Sequence, residues 1–232
     1  MGSRIFLRKA LITRSAEIII NFGNDDGKIE KIVRSRKEER EMKKIRISFV
    51  VMAIFFTGFI SPTLAATPPP SKGDVLPKIS LPIPKSSDER TYLGLSGTGT
   101  FRIPQIKAKV VIVEVFSMYC PYCQKDAPRI NEMYQAIENN PDLKNKIKII
   151  GIGAGNSAFE VEVFKKTYQI PFPLFADKDF SIHKLLGEVR TPYFVAIKIN
   201  EDGTHQIIHS QLGDFQGAQP FLELILKASG SK

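Results

Sequence analysis

The sequence predicts an α/β domain: a mixed central sheet with helices on both of its faces. Three observations predict it. The runs Val110–Phe116 and Ile147–Gly153 are apolar but for Glu114 and Lys148, close to what strands covered on both faces show, and each leads into a stretch of helical character. Nearer the C-terminus, Tyr193–Asn200 and Gln206–Gln211 flank Glu201-Asp202-Gly203, which reads as an antiparallel hairpin. Strands of both senses in one buried sheet make it mixed.

Charge separates the N-terminal third from the rest. The chain of 232 residues carries a formal net charge of +9. Residues 1–65 hold 13 Lys/Arg against 7 Asp/Glu, or +6, and residues 66–232 hold 20 against 17, or +3. Two thirds of the excess therefore lies outside the predicted domain. No basic stripe with interleaved aromatics points to nucleic acid.

Met42-Lys43-Lys44-Ile45-Arg46 is a short basic start, Ile47–Ile60 an apolar run, and Ser61-Pro62-Thr63-Leu64-Ala65-Ala66 a breaker followed by small residues. That order is the order of a secretory signal peptide, so 42–66 is expected to be one, cleaved near Ala65 or Ala66. Its apolar core is short against the ~20 residues that span a bilayer. An uncleaved signal anchor is the alternative. Residues 1–41 are expected to be upstream non-native sequence or a disordered extension, with Met42 as the true start. Arg36-Lys37-Glu38-Glu39-Arg40-Glu41 is what purine-rich codons ahead of a start codon would encode. The competing reading is a basic cytoplasmic tail. Residues 67–75, with Pro68-Pro69-Pro70, are expected to be an extended linker.

The folded domain is expected over 76–232. Tyr92–Ile103, with Gly94, Gly97 and Gly99, suggests a glycine-broken N-terminal hairpin. Val110–Phe116 follows as a buried strand and Pro121–Glu138 as a helix. Ile147–Gly153 and Ala158–Tyr168 repeat that order; Phe172–Phe175 reads as a short strand and Phe180–Leu186 as a short helix. The hairpin then precedes a closing helix at Gln219–Ala228.

The chemistry lies at the first strand-to-helix junction. Cys120 and Cys123 are the only cysteines, in Cys120-Pro121-Tyr122-Cys123 directly after the apolar run. That position puts the first sulfur at a helix N-terminus, where unpaired backbone N–H groups favour a thiolate. A structural disulfide across two residues gains little, and a structural zinc needs four ligands where no second pair stands. Cys-x-x-Cys beside a βαβ pattern is instead a dithiol/disulfide redox signature. Cys120, exposed, would attack a substrate disulfide; Cys123, one turn in and more buried, would resolve the mixed disulfide.

On these residues the chain resembles the thioredoxin superfamily, and within it the TlpA/ResA-like exported thiol-disulfide oxidoreductases. The resemblance covers roughly Leu76 to the C-terminus. It rests on the strand-Cys-x-x-Cys-helix unit, on Pro128 five residues past Cys123, and on Val189-Arg190-Thr191-Pro192 before a strand. An added βα segment, Ile147–Asp177, is also similar. The resemblance implies a thioredoxin-like fold. The chain departs from the family in having Tyr119 where a Trp usually precedes the first cysteine, and Pro121-Tyr122 is the dipeptide seen in glutaredoxins, so no redox potential carries over.

Glu114, six residues before Cys120, matches the buried acid that thioredoxins keep behind the second cysteine. A carboxyl among apolar neighbours is expected to have a raised pKa and to exchange a proton with Cys123. The alternative turns it to solvent at a sheet edge. Pro192 resembles the superfamily's cis-proline, which with Thr191 would offer main chain to an extended substrate. Asp126 falls where ResA-like proteins carry a Glu that influences the cysteines; with Pro121 it is expected to tune the pair. Tyr119 and Tyr122 are expected to line the substrate groove.

The implied activity is exchange with protein cysteines, without a bound cofactor or metal, in the periplasm or another extracytoplasmic space. As a reductant serving cytochrome c or metal-centre assembly, the protein would be recharged by a membrane redox partner. The absence of a long helical insertion after the active-site helix favours that direction. A Dsb-type oxidant or isomerase is the alternative. A thiol peroxidase is another, since Ser117 stands three before Cys120, although Val113 occupies the place of the proline that motif expects. A copper-binding module using both thiolates as soft ligands is a third.

Overall fold

The computed structural model describes residues 34–48, 68–213 and 217–230. Helix α1 runs through residues 34–48 and is exposed along its length. It crosses the boundary placed at Met42, and Arg34–Glu38 and Glu41–Lys44 pair on its surface. The proposed signal segment beyond residue 48 lies outside the described residues. Among the described residues no helix is long and apolar enough to cross a membrane.

The domain is organised around β3, Val110–Phe116, whose seven residues are all buried. The other strands of its sheet are β4 (Ile147–Ala154), β5 (Leu174–Asp177), β6 (Tyr193–Ile199) and β7 (His205–Leu212), in the order β5-β4-β3-β6-β7. Strands β3, β4 and β5 are parallel; β6 is antiparallel to β3, and β7 to β6. A sheet of mixed sense is what the sequence predicts.

Side-chain alternation divides the core in two. Val111, Val113 and Val115 face one layer with Ile150, Ile152, Val195 and Ile197. Val110, Ile112 and Phe116 face the other, against α3 (Pro121–Glu138) and α6 (Ala218–Ser229), where Ile130, Met133, Phe221 and Ile225 are buried. Glu114 shares the parity of the second set, which directs it toward α3.

The N-terminal strand pair is present but displaced from its expected place. It consists of β1 (Ser80–Pro82) and β2 (Thr100–Arg102), antiparallel, with helix α2 (Ser87–Leu93) between them. Tyr92 therefore ends a helix and does not begin a strand. The reason is local: Ser86 caps α2 by accepting from the Glu89 N–H, and Gly94 closes it with φ 65°. The Tyr92 hydroxyl accepts from the Ile149 N–H at 2.8 Å, and the Lys148 ammonium lies 4.1 Å over its ring.

The proline-rich stretch before the domain is extended but held. Gly73 N–H donates to Ile207 O, and Ile207 N–H to Asp74 O, each at 2.8 Å. Ser210 Oγ donates to Pro70 O at 2.5 Å, and Pro70 is buried. Composition argues against packing, yet edge strand β7 has main-chain groups that need partners, and this segment satisfies some of them. Strand β5 starts two residues later than expected, because Pro173 has no N–H for the ladder.

Candidate active site at the β3–α3 junction

Strand β3 ends at Phe116, and Cys120 becomes the N-cap of α3 with φ −85° and ψ 113°. Its Sγ accepts from the Cys123 N–H at 3.4 Å, a donor that no intrahelical bond satisfies. Pro121 at N1 supplies a φ suited to the first turn and lacks an N–H that would be orphaned there. Both cysteines are free thiols. Cys120 is partly exposed and Cys123 fully buried, which is the asymmetry the sequence predicts.

The two sulfurs differ in acidity. Partial burial pushes the Cys120 thiol up, but hydrogen bonding with Cys123, Thr191 and the backbone of Cys123 and Tyr122 outweighs it, and the net shift is downward. Burial above all, then the contact with Cys120 and the nearby Glu114, pushes Cys123 up. The exposed sulfur is the better thiolate, and the buried one keeps its proton.

Glu114 is buried at 2% exposure in the central strand, so the edge alternative is excluded. Its carboxyl is pushed up to about 8, chiefly by burial and further by the charges of Asp126 and Cys120. Asp126 is also buried, at 1%, with Oδ1 3.3 Å from the Arg129 guanidinium. An acid in a helix's first turn is ordinarily a solvated complement to the dipole; here it points inward beside Cys123.

Thr191 and Pro192 approach from the loop before β6. The Cys120 thiol donates to Thr191 O at 3.3 Å, and the Thr191–Pro192 peptide bond is cis. Tyr119 and Tyr122 are both 66% exposed. Tyr119 lines a cavity of about 440 Å³ with Ser117, Gly155, Phe180, His183 and Thr191; Tyr122 is not among its lining residues. The Tyr119 hydroxyl donates to Glu160, and this bond and those to Ser157 hold the Glu160 carboxyl down at about 2. Glu160 also closes a capping box on α4 (Ala158–Thr167) with Ser157.

Three positioning residues escape a reading by motif. Asn156, fully buried, accepts from the Met118 N–H at 2.8 Å, and Gln124 Nε2 donates to Met118 O at 2.7 Å, so together they clamp the loop that carries Tyr119 and Cys120. His183 places Nε2 2.7 Å from Val189 O, two residues before Thr191. The only sequence signal for Asn156 is its place beside the helix cap Ser157.

Gly155 has φ 68°, and a Cβ there would lie 2.3 Å from the Phe180 ring. Gly155→Ala should destabilise the protein by about 1–2 kcal/mol from the left-handed conformation alone. It should also displace Phe180 from the cavity wall. A urea midpoint equal to that of the wild type would refute the first expectation.

Comparison with known proteins agrees with this geometry. The curated thiol-disulfide oxidoreductase ResA of Bacillus cereus (strain ATCC 10987 / NRS 248) is 27% identical over 164 residues, covering 70% of this chain and 86% of that protein. ResA of Halalkalibacterium halodurans is 25% identical over 126 residues, covering 54% and 68%. Among solved structures, a thiol:disulfide interchange protein DsbE from Chlorobium tepidum matches with a TM-score of 0.51 at 18% identity, covering 69% of this chain and 99% of that one, and it shares the fold. The model of the AhpC/TSA family matches residues 73–206, a span that contains both cysteines, Glu114, Asp126 and the Thr191–Pro192 bond. That match takes in more than half of the sequence: the chain belongs to the AhpC/TSA family.

Proposed function

We propose that the protein is an exported thiol-disulfide oxidoreductase that uses Cys120 and Cys123 to reduce disulfides in protein substrates. The observation that carries this reading is the asymmetry of the two sulfurs: one partly exposed with a lowered pKa, the other buried with a raised pKa. The names of the curated relatives support the same activity.

The Cys120 thiolate attacks one sulfur of a substrate disulfide, forming a mixed disulfide and releasing the other substrate sulfur, which takes a proton. Cys123 then gives up its proton and attacks Cys120 Sγ. The substrate's second sulfur departs with the bonding electron pair, leaving the Cys120–Cys123 disulfide. Both electrons come from the dithiol, so no bound cofactor enters the reading. Thr191, whose carbonyl lies against Cys120, would offer main chain to an extended substrate segment.

The basic, apolar and small-residue order of 42–66 supports export to the periplasm or another extracytoplasmic space, where a membrane partner would return the protein to its dithiol form. The short connection from α3 to β4, with no helical insertion, supports the reducing direction. One observation favours the oxidising alternative: a lowered Cys120 pKa stabilises the reduced form, as it does in strong oxidants. Equilibration with glutathione decides between them. A potential near that of thioredoxin, about −270 mV, supports the reductant, and one near that of DsbA, about −120 mV, refutes it.

A further inference from the structure

Two carboxyl groups enter the apolar layer behind Cys123. Glu114 comes from β3. Asp126 comes from α3, three residues past Cys123 and so on the same helical face. Both are almost fully buried. Across the sheet Glu114 pairs with Gly151 of β4 and Phe194 of β6, neither of which titrates, and α6 presents Phe221, Leu222 and Ile225 to this layer. Among the described residues the titratable groups coupled to Glu114 are Asp126, Cys120 and Cys123, carried by α3 and its N-cap.

Two carboxyls close together in an apolar layer do not both ionise near neutrality; they hold one proton between them. What decides its place is the nearest cation. Arg129 Nη1 lies 3.3 Å from Asp126 Oδ1, reaching in from a rim where its own side chain is 38% exposed. Among the described residues Glu114 has no ion pair, and its Oε1 has no hydrogen-bond partner. We infer that Arg129 is a positioning residue for the exchange: by fixing the negative charge on Asp126, it leaves the proton on Glu114, the carboxyl that serves Cys123.

The chemical consequence rests on the function proposed above. When the thiolate of a dithiol donor attacks Cys120 Sγ of the disulfide, the S–S electron pair passes to Cys123 Sγ. Glu114 transfers its proton to that sulfur and is left as a carboxylate, which regains a proton from water. In the opposite direction the carboxylate takes the proton of Cys123 as Cys123 attacks Cys120. With the proton on Asp126 instead, Glu114 would be charged when Cys123 needs a donor.

The test is a carboxyl titration of the reduced protein, labelled with 13C in its Asp and Glu side chains and read by NMR. Wild type is compared with Arg129→Gln and Arg129→Lys, with signals assigned through Glu114→Gln and Asp126→Asn. In wild type Asp126 should ionise well below Glu114. In Arg129→Gln the Asp126 midpoint should rise by about one pH unit or more, the scale of a lost opposite charge, and Arg129→Lys should restore most of the shift. Reduction of the disulfide by dithiothreitol near neutral pH should slow in Arg129→Gln, because Glu114 then holds the shared proton less of the time, and Arg129→Lys should restore most of the rate. Unchanged titrations in Arg129→Gln, a wild-type proton resident on Asp126, or a rate profile that stays put while the carboxyls move would each overturn the inference. The carboxyl signals need no turnover, so a protein that titrates as expected but exchanges no disulfides would sink the proposed function alone.

Discussion

Cys120→Ser should abolish reduction of insulin disulfides, whereas Cys123→Ser should still attack and then stall as a mixed disulfide with its substrate. The expectation follows from position. Cys120 caps α3 with its sulfur partly exposed and receives the hydrogen bond of the Cys123 N–H, so it meets substrate as a thiolate. A serine there is a far weaker nucleophile at neutral pH, and activity should fall to background. Cys123 has no exposed surface, so it cannot start the reaction and can only finish it. Its loss should leave covalent adducts that survive denaturing, non-reducing electrophoresis and disappear with reductant. Full turnover by Cys123→Ser, with adducts trapped by Cys120→Ser, would reverse the assigned roles.

The parts of this site legible in the sequence are those whose signal is local. β3 and α3 fall at their expected limits, because a largely apolar run and a proline one residue past the capping cysteine are patterns of neighbouring residues. Glu114 is legible for the same reason: a lone acid among apolar neighbours is costly to bury, so its place in the run marks it. The inward turn of Asp126 is not, since an acid early in a helix usually belongs to solvent, and only the packing of α3 on β3 reverses that. Asn156 lies 38 residues from the Met118 amide it binds, and no periodicity reports such a contact. The hold of β7 on residues 70–74 is likewise a matter of which edge needs partners. Tyr92 departs from its expected place for a different reason, because the capping pattern Ser86-x-x-Glu89 competes with the strand-breaking glycines that follow it, and in the fold the cap wins.

Glu114→Gln should slow resolution while making the protein more stable near neutral pH. The stability effect has a definite sign. The folded-state pKa of Glu114 is raised to about 8, above an ordinary glutamate value of about 4.3. Between those limits the folded protein holds a proton that the unfolded chain has released. Wild-type stability is therefore fully present below the unfolded pKa and is lost as pH rises through the folded one. Glutamine keeps the shape without titrating, so the variant should gain on wild type steadily from about pH 5 to pH 8 and no further beyond it. Urea midpoints across that window measure the gap, and parallel curves would mean that Glu114 is not held protonated. The kinetic effect runs the other way. In wild type the fraction of Glu114 present as carboxylate, able to take the Cys123 proton, rises through pH 8, while the glutamine variant must wait for solvent base. Loss of a positioned proton acceptor is worth about 10²-fold at the low end of such effects. The deficit should be clearest from neutrality to mildly alkaline pH and shrink once hydroxide deprotonates Cys123 unaided. Rates of mixed-disulfide resolution that run parallel in the two proteins over this range would remove Glu114 from the proton path and leave it a buried structural acid.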